Sequence, residues 1–249
     1  MASLKSLFSK DGRKARQLEK NCARASDYKI KPADRRPSLE LLFDDGSEQA
    51  LGGLMKRFTF NYTLNQVADE EEKDYIYQGL ISFGESLLAP LKTHLKTSPV
   101  LSWGLRLLAG IFDEATQWNV LDELLEDYEP GYERDPSKKL QLLSHVGEMG
   151  GERAVKVLIP YLEDHDENVR YTVIEAAFSI GDEVAREPLL EMLVGDDNEI
   201  SLRLKNRISE GFVETGWVVK GYRGSVEKLL SSEFLLDSKG KIKRKKARG

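Results

Sequence analysis

Residues 152–181 read ERAVKVLIPYLEDHDENVRYTVIEAAFSIG, and residues 182–212 read DEVAREPLLEMLVGDDNEISLRLKNRISEGF. Laying Asp166 on Asp197 also lays Leu162 on Leu193, Val169 on Ile200, Val173 on Leu204 and Ala177 on Ile208, each pair 31 residues apart. A fixed period of that length marks a repeat architecture, in which no single unit can bury its apolar face without a neighbour.

The same signal extends upstream. A residue suited to capping a helix N-terminus precedes an apolar-periodic stretch at Asp69, Ser98, Asp135, Asp166 and Asp197. The side-chain oxygens of such residues accept hydrogen bonds from the free amides of the first turn. Pro99 and Pro136 follow two of them, at the position where a missing N–H costs nothing. The intervals are 29, 37, 31 and 31, and the longest carries an inserted loop, EPGYER at 129–134. Seven residues after the caps stand Ile76, Leu105, Leu142, Val173 and Leu204, and eleven after them stand Leu80, Ala109, Val146, Ala177 and Ile208. These offsets share one helical stripe. Leu-rich helices are expected upstream of the caps at 86–96, 115–128, 151–163 and 183–194, so the unit is a helical hairpin.

The stretch LIPYLEDHDENVRYTVIEAAFSIGD (158–182) resembles a HEAT repeat, and in particular the short HEAT-like repeats first named for bilin lyase subunits. Pro160, the acidic turn Asp164–Asp166, the Val169–Arg170 pair, the small Ala176–Ala177 pair and the Gly181–Asp182 exit carry it. The resemblance is best over 151–216. It implies an all-α fold, an α-solenoid of about five HEAT-like helical hairpins over 38–216, with the second helix of each hairpin lining a concave surface. A fold of this kind does not by itself specify a function.

Charge is distributed unevenly. Residues 1–37 hold eleven Lys/Arg and four acids, and 238–249 hold seven Lys/Arg and no acid. Residues 38–237 hold 19 basic and 38 acidic residues, a net −19 concealed within the overall −5. The first zone reads as a basic arm, partly disordered, with Leu4, Leu7 and Phe8 spaced for a short amphipathic helix. KIKPADRRP then reads as a linker ending near Pro37, Ser38 as the cap of a short helix over 38–43, and 48–58 as a second helix. Residues 217–244 form a C-terminal extension with a helix at 225–231 and a small β-hairpin about Asp237-Ser238-Lys239-Gly240, and 245–249 are a basic tail.

Several chemistries find no foothold. The single cysteine, Cys22, permits no internal disulfide and suits a reducing cytoplasm. No apolar run approaches the ~18–20 residues that span a bilayer, and the N-terminus has no hydrophobic signal core. His94, His145 and His165 show no metal-ligand spacing. Some HEAT-like proteins form a di-iron hydroxylase from repeated His-Glu dipeptides, and this sequence has none. Gly147–Gly151 lacks the Lys-Ser/Thr of a phosphate loop and reads as a helix end. The turn acids Asp164, Asp166, Asp196 and Asp197 lack an EF-hand pattern and read as helix caps. No catalytic residue, metal or cofactor is assigned.

One row of basic residues stands out. Lys73, Lys139 and Arg170 lie four residues after their caps, and Arg106 and Lys205 eight after theirs, on one face. They could form a ladder for a partner, or pair with turn acids of the adjacent repeat. Tyr171, Ile174 and Phe178 form a second apolar stripe, read as inter-repeat core. The expected function is a non-catalytic scaffold or adaptor that binds a protein partner on the concave face. The alternatives are nucleic-acid or ribosome association through the basic ends, and a bilin-lyase-like enzyme subunit. No membrane partner is expected.

Overall fold

The computed structural model describes residues 10–195 and 200–245. Leu4, Leu7, Phe8, Asp196, Asp197, Glu199 and the tail residues 246–249 lie outside the described residues. The chain is all-α with one small antiparallel β-hairpin, and it divides into two compact units, Met1–Leu124 and Leu125–Gly249.

The first unit contains α1 (Lys10–Ala25), α2 (Pro32–Asp45), α3 (Glu48–Met55), α4 (Gln66–Ile81), α5 (Leu88–Thr97), α6 (Ser102–Ile111) and nearly all of α7 (Glu114–Leu125). The first six pair into three hairpins. Helices α1, α3 and α5 pack in one layer, and α2, α4 and α6 in the other. The layering buries Leu39, Leu42, Leu51, Leu54, Ile76, Leu80, Leu91, Leu95, Leu105 and Leu108. Burial of each such side chain contributes about 1.5–3 kcal/mol, and this holds helices as short as α3 in place.

The stretch read as arm and linker is helical where it is described. Asn21, Cys22 and Ala25 of α1 are buried, so α1 is the first half of a hairpin and not an arm. Pro37 does not end a linker, because α2 begins at Pro32 and runs through it. Ser38 is no cap: it is buried inside α2, and its hydroxyl accepts from Arg24 Nε at 3.0 Å. Proline near a helix start sacrifices no hydrogen bond, and the sequence offered two prolines there, of which the earlier marks the start.

Two further caps fall elsewhere. Asn65 caps α4, accepting from the Ala68 amide at 3.1 Å, so Asp69 lies one turn inside the helix. Ser98 ends α5 and bonds its own loop through Val100, while α6 starts at Ser102. Asp135, two residues before α8 begins, accepts from the Ser137 amide at 3.0 Å. Asp166 is the cap expected, accepting from the amides of Asn168 and Val169.

The second unit contains α8 (Ser137–Met149), α9 (Gly151–Leu158) with a 3-10 turn at Ile159–Glu163, α10 (Glu167–Ile180), α11 (Arg186–Val194), α12 (Leu202–Thr215), α13 (Arg223–Leu229) and strands β1 (Phe234–Leu236) and β2 (Ile242–Arg244). Helices α8, α10 and α12 lie side by side; α9 packs on α8 and α10, and α11 packs on α12 and α13. The hairpin is the one the sequence suggested, with Phe234 opposite Arg244, and β2 packs on α12.

The register between the last two repeats differs from the sequence alignment. Helices α10 and α12 are both 14 residues long, and both end on a left-handed glycine, Gly181 (φ 73°) and Gly216 (φ 69°). Structurally equivalent positions are therefore 35 apart, pairing Val169 with Leu204, Val173 with Ile208 and Ala177 with Phe212, all buried. A shift of four residues returns to the same helical face, so apolar periodicity alone could not distinguish 31 from 35.

Candidate interaction surface

Of the five basic side chains put forward from the sequence, Lys73 and Arg106 lie in the first unit, and Lys139, Arg170 and Lys205 in the second. In the first unit, Lys73 is buried on α4, its Nζ 2.6 Å from Asp69 Oδ2 and 2.7 Å from Asn61 Oδ1. It belongs to a buried cluster with Arg35, Arg57, Asp69 and Glu72. Arg35 and Arg57 both bond Glu72, Arg57 also bonds Asp69, and the Phe60 ring lies 4.5 Å from the Arg57 guanidinium. Arg35 also donates to the carbonyls of Asp27 (2.9 Å) and Ile30 (2.6 Å), fixing the loop between α1 and α2. Burial alone would raise the Asp69 pKa, but hydrogen bonds from Lys73, Arg57 and the Tyr62 amide bring it below the usual carboxylate value. Burial pulls Arg35 down, with Glu72 opposing. Arg106 is the exposed member of the first unit, on α6.

In the second unit, Lys139 is buried on α8 and reaches Asp164 in the turn of the following hairpin at 2.8 Å, and the Gly131 carbonyl at 3.1 Å. Asp164 in turn accepts from the amides of Gly131 (3.0 Å) and Asp166 (2.9 Å). Burial disfavours the Asp164 charge, yet Lys139 and the two amides hold its pKa below the usual range. Arg170 donates to the carbonyls of Asp164 (2.5 Å) and His165 (3.1 Å). Lys139 and Arg170 therefore meet at one acidic turn, and there Lys139 and Asp164 secure the 129–134 loop at Gly131. Lys205 is half-buried on α12. Pairing with a turn acid of the adjacent repeat, not a ladder, is what the structure has at Lys139.

The exposed face of α8, α10 and α12 has a different pattern. Between α10 and α12 the carboxylates are matched. Arg203 lies over the Tyr171 ring (4.0 Å) and bonds Asn168 at 3.0 Å and Glu167 at 3.4 Å. Arg207 bonds Glu175 and, at 3.2 Å, Glu214, with Phe178 beneath it. Burial would lower the Arg207 pKa, but Glu175 and Glu214 raise it. Arg244 of β2 bonds Glu210. Ile174 and Phe178 are buried, so the stripe read as core is core at those two positions, and Tyr171 is half-buried under its arginine.

Among the described residues no such arginine lines the groove between α8 and α10. Gly147 lies so close to Ala176 that a Cβ there would come within 2.7 Å of the alanine methyl. This approach leaves a shallow groove of about 300 Å³, lined by Ser144, Gly147, Glu148, Thr172, Glu175, Ala176 and Ser179. Glu148 is 79% exposed, and the His145 imidazole lies 3.8 Å from its carboxylate. Burial depresses the His145 pKa, with Glu148 opposing, so this partner is neutral at pH 7. The groove thus offers hydroxyls and the Glu148 carboxylate, with Glu175 already bonded by Arg207, and its lining has no basic side chain. A wider groove of about 870 Å³ follows the turns near Pro160, His165 and Pro188, and is bounded by Gly195 and Ile200 on either side of the undescribed 196–199.

Sequence reasoning singled out none of the groove residues except the glycine and alanine of the repeat. The signal available was the run of small and acidic residues at Ser144, Gly147, Glu148, Thr172, Glu175, Ala176 and Ser179, which fall on one face of each helix. Among the described residues, no group of three or more His, Cys, Asp or Glu could hold a metal ion. No helix among them is long and apolar enough to cross a membrane.

Residues 120–203 match the family model for HEAT repeats. A comparison with curated proteins found no match.

Proposed function

Taking this chain as a HEAT-like repeat protein, we propose that it is a non-catalytic scaffold that binds a basic segment of a protein partner on the α8–α10 face. HEAT repeats commonly serve as protein-interaction scaffolds. The observation that supports the reading is the groove at Gly147 and Ala176, whose exposed Glu148 has no Lys or Arg among the groove's lining residues. A Lys or Arg from a partner would supply what Arg203 and Arg207 supply between α10 and α12. The net −19 of residues 38–237 would speed encounter with such a segment. The single thiol, Cys22, is buried and suits the cytoplasm.

An acetylated, amidated helical peptide of Lys and Ala tests this reading by fluorescence anisotropy. Binding should weaken about tenfold on Glu148→Lys, and similarly on Ser144→Arg, which fills the groove. Binding that ignores both substitutions would sink the proposal. The nucleic-acid alternative has the exposed Arg13, Lys14 and Lys20 of α1 in its favour. Binding of single-stranded RNA that is lost on Arg13→Glu and Lys14→Glu would favour it.

A further inference from the structure

The first unit carries a second recognition feature, of opposite charge and independent of the α8–α10 groove. Phe58, Trp103 and Tyr77 form a run of rings: Phe58 and Trp103 stack at 5.4 Å and 7°, and Tyr77 tilts against Trp103 at 5.9 Å. Phe58 and Tyr77 are buried, so the run is anchored in the core. At its outer end the Arg106 guanidinium lies 4.4 Å from the Tyr77 ring centre and 4.8 Å from that of Trp103. The rings fix its orientation by cation–π attraction. Its donors are nonetheless unused: the nearest carboxylate oxygen, Asp74 Oδ1, is 4.0 Å away, and no described residue accepts a hydrogen bond from it.

The ground beside it is clear. Gly110 is one turn beyond Arg106 on α6, and a Cβ there would come within 2.6 Å of the Tyr77 hydroxyl oxygen. Ala109 and Gly110, beside Arg106 on the helix, are both exposed and carry no side chain larger than a methyl. The Tyr77 hydroxyl has no hydrogen-bond partner among the described residues. A planar fork of donors and a phenol thus share one open shelf, an arrangement that matches two oxygens held in a plane. Because the guanidinium is already held, little side-chain entropy remains to be lost on binding.

We infer that Arg106 and Tyr77 receive a single carboxylate from an acidic segment of a protein partner. A phosphate dianion calls for a cluster of arginines, whereas here one cation stands with Asp74 beside it. A nucleic acid would require several phosphate contacts at once, and this shelf offers one.

The probe is a fluorescein-labelled peptide of alternating Glu and Ala, with capped ends, titrated against the full chain at low salt. Binding should weaken about tenfold on Arg106→Gln and by a similar amount on Arg106→Lys, which keeps the charge but loses the fork. Tyr77→Phe should weaken it about threefold, and Asp74→Asn should strengthen it. Each variant is compared at matched far-UV circular dichroism and melting temperature, and Asp74→Asn provides a gain that misfolding cannot produce. Unchanged binding in Arg106→Gln would overturn the inference. So would a phosphoserine peptide that binds through Arg106 while the Glu peptide does not. Neither result bears on the Lys-Ala peptide, so the two sites can fail separately.

Discussion

The two units bury charge in different ways. In the first, five ionisable side chains from α2, α4 and the turn between α3 and α4 are buried together: Arg35, Arg57, Asp69, Glu72 and Lys73. In the second, the buried ion pair is Lys139 with Asp164, and it links α8 to the next turn and to the 129–134 loop. One cluster takes the place of apolar packing between helices, and the other pins a loop. The lesson is that a repeat fold tolerates buried charge wherever every charge has a partner, since taking a charge from water costs several kcal/mol that only close pairing restores. The consequences of removing one partner should therefore differ between the units.

The largest effect is expected at Glu72. Both Arg35 and Arg57 bond its carboxylate. Glu72→Ala leaves two buried guanidinium groups short of an anion and should cost about 3–5 kcal/mol. Urea unfolding followed by circular dichroism reads this directly, and hydrogen exchange should localise the loss to α2 and α4. A cost under about 1 kcal/mol would mean that water reaches the cluster and that it is not a buried hub.

Lys139→Met should cost less, about 2–3 kcal/mol, because Asp164 keeps the amides of Gly131 and Asp166 as donors. Amides of 129–134 should exchange faster in this variant, while those of α2 and α4 stay unchanged. Adding Asp164→Asn should return part of the loss, since the stranded charge is then gone. Equal exchange in both units would break the comparison.

What the sequence revealed follows from the same contrast. In the second unit Asp166 caps α10, Gly181 ends it and the apolar stripe is buried, so pattern and structure agree. In the first unit the pattern misleads at Asp69 and Lys73. Both look like surface residues of a helix start, and both are buried because Arg57 reaches Asp69, and Asn61 reaches Lys73, from the segment before the helix. Pairing across segments leaves no periodic trace in a sequence. The ring run ending at Arg106 escaped notice for a related reason: Phe58, Tyr77 and Trp103 come from three separate elements. The groove at Gly147 escaped because small residues declare themselves only when two helices are seen to meet.

The smallest effect expected is the pH dependence that His145 contributes in the second unit. His145 is buried on α8, and its Nε2 has no hydrogen-bond partner among the described residues. Burial lowers its pKa, with Glu148 pulling the other way. In the unfolded chain the imidazole takes up a proton as pH falls through about 6.5, while the folded protein resists it. The unfolded state then binds more protons, so stability falls with pH below about 6.5, with a limiting slope of about 1.4 kcal/mol per unit, and is flat above about 7.5. Asp69 and Asp164 act in a different window. Their folded pKa values are depressed, so their contribution is present above about 3.9 and is lost only in stronger acid. Urea unfolding at pH 7.5 and 5.5 separates the two. His145→Gln should shrink the stability difference between these values, and the exchange rates that change should belong to α8 and α10. If the variant keeps the full difference, the proton enters elsewhere, and neutral burial of His145 is not the source of the pH dependence.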